Sequence, residues 1–408
     1  MTAMVNEDPG PGAPARPLPL EGVTVLDLGR IYQGPWCGTL LALAGATVVK
    51  IEEPTGEPAR RGAKGTMSVP FAMLNSNKQA ITLNLKEERG RALFIDLVGQ
   101  ADVVVENFGA GTMDRLGLGP DRLLEINPRL VYAAATGYGV DGPDRDRLAM
   151  DITIQAHSGV MSVTGFPDQP PVKAGVAFVD FLGAVHLYAA VVTALYDRER
   201  TGLGRVVDVA MIDTIYPTLA SNLSAFYRDG VAPRSGNGHG GGALVPYDVY
   251  PTSDGYIAVI VVTEGHWLSL CDVLGAPELA ADDRFRSNAR RYHNVAALDE
   301  IIGAWTRERT RDEVVALLGE AKVPVAAVRD VGEVVDDPAM HARGALVRID
   351  HPMAGSVVVP NTPLRFRGST MATLRPSPAL GADTRLVLGE WLGLDEATLD
   401  QLAQDGVV

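Results

Sequence analysis

Short apolar runs separated by polar breaks occupy the first half of this chain. Val23–Leu28 (VTVLDL) has the continuous apolar character of a buried strand. Thr39–Leu43 lies in a helical stretch that stops at Gly45, and Ala46–Glu52 (ATVVKIE) predicts a second strand. Ala92, Leu93, Ile95 and Leu97 predict a helix over Glu88–Val98. Asp102–Val105 and Leu130–Ala135 predict two more strands, with a short helix over Asp121–Ile126 between them. Farther on, a long apolar run through Leu187-Tyr188-Ala189-Ala190-Val191-Val192 ends in Asp197-Arg198-Glu199-Arg200 and predicts a helix that Asp180 opens. A Thr201-Gly202-Leu203-Gly204 turn then leads into a strand at Val206–Val209. Strands alternating with helices imply βαβ units and a mostly parallel sheet. Ligands of such sheets bind beyond the carboxyl ends of the strands.

The texture changes after a break at 230–246, which holds Gly230, Pro233 and Ser235-Gly236-Asn237-Gly238-His239-Gly240-Gly241-Gly242. Tyr256–Val262 predicts a strand, and helical pieces follow around Trp267–Leu274, Ala297–Arg307 and Asp312–Leu318 before a strand at Val323–Val328. Leu346–Val359 predicts two short strands around an Ala354-Gly355 turn. The expected organisation is a tail over 1–19, a large domain over 20–229, a glycine-rich linker over 230–245, a smaller α/β domain over 246–330 and a return segment over 331–408.

A length of 408 residues is enough for two such cores. The net charge of −14 argues against a nucleic-acid partner, which would meet a basic face. Two cysteines cannot build a disulfide framework; Cys37, in a Gly/Pro turn, and Cys271 are expected to be packed thiols, as suits a reducing cytoplasm. Residues 1–19 have neither a basic start nor an apolar core of a signal peptide and are expected to be flexible. No apolar run reaches roughly 18 residues without a charge or a break, so no membrane span is expected.

Candidate chemistry centres on Asp180, in Lys173-Ala174-Gly175-Val176-Ala177-Phe178-Val179-Asp180-Phe181-Leu182-Gly183-Ala184. A carboxylate at a helix start meets free N–H groups and the positive end of the dipole; it either caps the helix or stays ionised and free to attack. The first strand ends in Asp27-Leu28-Gly29-Arg30-Ile31-Tyr32-Gln33-Gly34-Pro35, without the spaced glycines of a dinucleotide site. Arg30 there suits a phosphate or a surface salt bridge. Asn75-Ser76-Asn77-Lys78, Glu106-Asn107-Phe108 and Arg115 offer amides, an aromatic ring and cations, a set that fits an adenine nucleotide or ordinary polar loops. The glycines at 236–242 fit a mobile lid that offers N–H groups to an oxyanion, or a plain loop. Asp151 reads as a helix cap that supports the site. His157, His186 and His239 show no metal spacing, and no metal is expected.

Taken in order, Val25-Leu26-Asp27-Leu28-Gly29-Arg30 with Gly34-Pro35, Lys50-Ile51-Glu52, Asn75-Ser76-Asn77-Lys78, Val105-Glu106-Asn107-Phe108, Asp114-Arg115-Leu116-Gly117, Gly137-Tyr138-Gly139, Gln155-Ala156, Thr164-Gly165, Thr201-Gly202 and Pro246-Tyr247 resemble the class III CoA-transferases, which include formyl-CoA and carnitine CoA-transferases and are related to α-methylacyl-CoA racemases. The resemblance implies a Rossmann-like large domain built from both chain ends, a smaller inserted domain and an interlocked homodimer. It places Asp180 at the nucleophile and Gly240, Gly241 and Gly242 on a loop over the active site. Arg30, Ile31, Asn77, Lys78, Asn107, Phe108, Arg115 and Tyr138 fall on segments that hold coenzyme A.

It also implies an acyl-CoA donor and a carboxylic acid acceptor, with a CoA thioester as substrate and no permanently bound cofactor. Asp180 would pass through a mixed anhydride and an aspartyl-CoA thioester. The alternative is a racemase, but that group carries a His-Asp pair where this chain has Met150-Asp151, and methionine cannot move a proton. A non-catalytic nucleotide-binding module is a third class.

Overall fold

The computed structural model describes residues 16–62, 68–239 and 244–408. Gly240, Gly241, Gly242 and most of the expected tail lie outside the described residues. The chain forms two compact units; one comprises the described residues up to Ile154 with Ala177–Ile215 and Asp337–Val408, the other Gln155–Val176 with Tyr216–Asp336.

The first unit holds, in chain order, β1 (Thr24–Asp27), α1 (Gln33–Leu43), β2 (Thr47–Glu52), β3 (Gln79–Thr82), α2 (Glu88–Val98), β4 (Val103–Glu106), α3 (Pro120–Ile126), β5 (Val131–Thr136), α4 (Asp151–His157), α5 (Phe178–Thr201) and β6 (Arg205–Ala210). Helix α4 begins in this unit and ends in the other. The six strands pair in parallel in the order β3-β2-β1-β4-β5-β6. The expected α/β class with a parallel sheet is therefore present. The order reverses between β1 and β4, which opens a crevice at the strand ends.

Helices cover both faces, which is why the strands read as continuous apolar runs. Val25, Val48, Val103, Val105, Val131 and Ala133 pack with Cys37 and Leu41 of α1 and with Leu187, Val191 and Leu195 of α5. Their neighbours Leu26, Val49, Val104 and Tyr132 pack with Phe94 and Leu97 of α2 and Leu123 of α3 on the opposite face. Helix α5 is the one described helix long and apolar enough to cross a membrane by length and composition. Here its core face lies against the sheet.

Three sequence expectations need correction. Helix α1 starts at Gln33, so Cys37 sits inside it and not in a turn. Pro35 is tolerated because first-turn N–H groups have no helical partner. Strand β3 (QAIT) and a strand at Tyr247–Pro251 went unread, being too short for a clear period. Finally, Asp180 is the third residue of α5, whose cap position is Ala177.

In the second unit, β7 (Tyr247–Pro251), β8 (Tyr256–Ile260) and β9 (Val325–Ala327) form an antiparallel sheet. Trp267, Leu270, Leu298, Ile302 and Val314 build its core from helices α6 (Glu264–Val273), α7 (Val295–Arg307) and α8 (Arg311–Glu320). The chain then returns to the first unit through a hairpin, β10 (Leu346–His351) and β11 (Gly355–Pro360), whose turn uses Gly355 at φ 74°. Asp383, just before α9 (Thr384–Leu392), closes the open edge of β3: its carboxylate accepts from Ala80 N at 2.7 Å, and its own N–H donates to Ala80 O at 2.9 Å. Leu399 and Leu402 of α10 (Glu396–Gln404) then join the core beneath the sheet.

Candidate active site

The loop from β1 to α1 rests on a buried polar framework. Asp27 ends β1 with its Oδ1 accepting from Gly29 N at 2.8 Å and its Oδ2 paired to Lys78 Nζ at 2.7 Å. Lys78 also donates to Pro35 O at 2.8 Å and Asn75 Oδ1 at 3.0 Å. Burial pulls its ammonium below the ordinary value, and the Asp27 carboxylate opposes that. Lys50 Nζ donates to Gly29 O at 2.7 Å and pairs with Glu57 at 3.1 Å. Glu57 accepts from Ile31 N at 3.0 Å, and Asn107 brackets Arg30 with bonds to its N at 2.7 Å and its O at 2.9 Å.

These contacts hold Ile31 at φ 63°, a conformation a β-branched residue rarely takes. Such strain costs on the order of 1–3 kcal/mol and persists only where the surroundings over-determine it.

Asp180 stands across from this loop on α5. The N–H groups that open the helix are taken by another carboxylate: Asp151 Oδ2 accepts from Val179 N at 2.9 Å and from Asp180 N at 3.3 Å. The Asp180 carboxylate is thereby released from capping. Burial first, and the Asp151 charge second, raise its pKa to about 7. That corrects the expectation of a carboxylate kept ionised by helix N–H groups. The next residue, Phe181, stacks on Tyr32 at 6.0 Å and meets the edge of Trp36 at 5.9 Å, which pins the start of α1 to the start of α5.

A cavity of about 430 Å³ opens here, and its lining includes Arg30, Ile31, Gln33, Asn107, Phe108, Tyr138, Arg145, Arg147, Met150 and Asp180. A second cavity, about 320 Å³, is lined by Leu28, Ile51, Glu53, Leu83, Lys86 and Thr112 and shares Arg30 and Phe108 with the first. The Arg30 guanidinium lies 4.8 Å over the Phe108 ring, so one cation–π pair borders both spaces. Phe108 is held in turn by Glu106, which accepts from its N at 2.7 Å; burial raises the Glu106 carboxyl to about 7.

The fold thus gathers Asp180, Arg30, Ile31, Asn107, Phe108 and Tyr138 around one space. It places three other candidates elsewhere. Asn77 binds the return segment, donating to Thr373 O at 2.9 Å and accepting from Arg375 N at 2.7 Å. Lys78 spends its donors inside the framework. Arg115 donates to Thr112 Oγ1 at 2.7 Å and lines neither cavity.

Among the lining residues not read from sequence are Gln33, Lys86, Arg145 and Arg147. Lys86 follows the unread strand β3, and the two arginines lie in a charged stretch that looks like a solvated loop. For Gln33 the signal was its place in Tyr32-Gln33-Gly34-Pro35, directly after a strand and its loop.

A doubly wound parallel sheet with a cavity at its topological switch point is the architecture of an α/β ligand-binding fold. The sequence pattern of CoA-transferase family III matches residues 20–384, and the chain belongs to that family. An acetyl-CoA:oxalate CoA-transferase of Acetobacter aceti is 38% identical over 361 residues, covering 87% of this chain and 91% of the relative. A formyl-CoA:oxalate CoA-transferase of Streptomyces avermitilis is 36% identical, with 95% and 99% covered. The human succinyl-CoA:glutarate CoA-transferase is 33% identical, with 96% and 90% covered. Among solved structures, a CaiB/BaiF family protein from Brucella suis superposes with a TM-score of 0.81 at 35% identity over 92% of this chain and 100% of that one. The protein is accordingly an enzyme with CoA-transferase activity, and its named relatives act on CoA thioesters.

Proposed function

We propose that this enzyme moves coenzyme A between two carboxylic acids with Asp180 as the covalent relay. The observation that carries the reading is the Asp180 carboxylate, unused by its own helix, in a cavity that shares the Arg30–Phe108 pair with a second cavity at the strand ends. Arg30, Arg145 and Arg147 would meet phosphate charge, Phe108 would stack on a flat group, and Lys86 would add a cation beside the second cavity.

Asp180 attacks the donor thioester carbonyl, a mixed anhydride forms and CoA leaves as thiolate. The thiolate attacks the aspartyl carbonyl, which frees the donor acid and leaves aspartyl-CoA. The acceptor carboxylate then attacks that thioester and expels the thiolate, giving a second anhydride. The thiolate takes the acceptor acyl group, and Asp180 is restored. An anhydride retains the energy that a serine ester would lose, provided water is kept out.

The covering-loop role of Gly240, Gly241 and Gly242, the Rossmann-like assignment and the interlocked homodimer rest on the resemblance alone, and a cytoplasmic location rests on the two cysteines. The racemase alternative finds less support. The Asp151 carboxylate holds the N–H groups of α5, and Met150 beside it carries no exchangeable side-chain proton.

The test incubates the protein with acetyl-, formyl- and succinyl-CoA against oxalate and glutarate. Mass spectrometry then looks for an acyl or CoA adduct on Asp180. Transfer with an adduct on Asp180, both lost in Asp180→Ala, is the expected result. Full transfer by Asp180→Ala, or α-proton exchange in heavy water without transfer, overturns the reading.

A further inference from the structure

Gln33 is the first residue of α1 and is 3% exposed. Its Nε2 is buried without a hydrogen-bond partner. A buried donor left unmade lowers stability, so a fold that keeps one calls for a use. The amide lies against Gly183 of α5, where an added Cβ would come within 2.5 Å of Nε2. Glycine weakens a helix interior, and here its missing side chain is the space the amide fills. Gly183 sits one turn beyond Asp180 on the same face of α5. Gln33 and Asp180 line the same cavity, and the Tyr32–Phe181 stack and the Trp36 edge fix α1 against α5 at that level.

We propose that Gln33 Nε2 donates a hydrogen bond to the acyl oxygen at the carbon that Asp180 attacks, which makes Gln33 a catalytic residue for acyl thioesters. As the Asp180 oxygen bonds to that carbon, the C=O π pair moves onto the acyl oxygen, where Gln33 meets the new charge. The pair returns as the C–S bond breaks and the thiolate leaves. Gln33 keeps its proton throughout, so it supplies an aimed dipole and no acid or base. The proposal rests on the CoA-transfer reading.

The test binds acetyl-CoA, labelled with carbon-13 at the carbonyl, to the full-length Asp180→Ala protein, which cannot turn over. The infrared carbonyl band is recorded with Gln33 intact and with Gln33→Met. A lowered stretch that moves back up in the methionine variant is expected. In the protein that retains Asp180, Gln33→Met should cut kcat about 10²–10³-fold, change KM less than about threefold and leave the melting temperature no lower. Gly183→Ala, which keeps Gln33 but pushes its amide aside, should shift the band the same way and serves if the methionine variant does not fold. Bound acetyl-CoA with an identical band in all three, or a kcat within about threefold of the parent, overturns the role of Gln33 and leaves CoA transfer standing. Failure of acetyl-CoA to bind any of them overturns both.

Discussion

Two polar regions meet at the loop from β1 to α1, and they are built in opposite ways. Beneath the β1–α1 loop, Asp27, Lys78, Asn75, Lys50 and Asn107 are hydrogen-bonded to one another or to backbone, and Glu57 accepts from Ile31 N while its other oxygen meets only the Lys50 charge at 3.1 Å. Around the cavity, the Asp180 carboxylate accepts no hydrogen bond from another described residue, and Gln33 Nε2 has no partner. Complete satisfaction is what a buried polar group needs in order to act as structure. Groups left open at a cavity are the ones a substrate can complete.

The sharpest way to break that contrast is at Asp180. Asp180→Asn should lower transfer at least about 10⁴-fold, since an amide cannot form the anhydride. It should also stabilise the protein at alkaline pH. An acid whose folded pKa is raised to about 7 holds its proton more tightly folded than unfolded. The wild type therefore loses stability as pH climbs from about 4 through 7, and the uncharged variant does not. A gain on the order of 4 kcal/mol at pH 8, about 1.4 kcal/mol for each of the roughly three units of the rise, and none below pH 4, is the expected result of denaturation across that range. A uniform loss would place Asp180 among the supports.

Lys78 tests the other side. Removing one member of a buried pair strands the other charge, so Lys78→Met should cost about 3–5 kcal/mol through Asp27. Urea titration reads this directly. A variant of unchanged stability with weakened CoA binding would instead make Lys78 a ligand residue.

Asp151 bridges the two regions, because its carboxylate caps α5 and its charge raises the pKa of Asp180. Asp151→Asn keeps a capping oxygen but removes the charge. The acid limb of kcat/KM should then move below about 7, toward but short of the ordinary aspartate value, because burial remains the larger cause. An unmoved or upward-shifted limb would dissociate the titration from Asp180.

Much of this fold is written in the chain because strands buried on both faces leave continuous apolar runs, as in β1, β2, β4 and β5. Strand β3 was hidden because four residues, QAIT, carry too little pattern, and its edge is closed by Asp383 from 303 residues away. Asp180 was legible by position, but its freedom was not. The group that relieves it of capping lies 29 residues earlier, and sequence spacing says nothing about that contact. Lys78 reads like any loop cation beside Asn77 until Asp27, 51 positions away, is seen to close on it. Long-range pairing sets the surroundings of both side chains.

The smallest expected effect is at Asn77, and it refines where support ends. Its side chain receives Arg375 N and donates to Thr373 O, while its backbone sits at φ 64°. Asparagine tolerates that conformation because its short amide can bond locally, and alanine does not. Asn77→Ala should therefore lose two bonds and add backbone strain, for a cost of about 1–2 kcal/mol. Asn77→Gly should lose the same bonds without the strain and fall between. Neither should change KM for the acyl-CoA, since Asn77 lines a separate open concavity with Thr373 and Arg375 and not the space around Asp180. If KM rises several-fold while the melting temperature holds, the return segment forms part of the CoA site, and the boundary between support and chemistry moves out to Arg375.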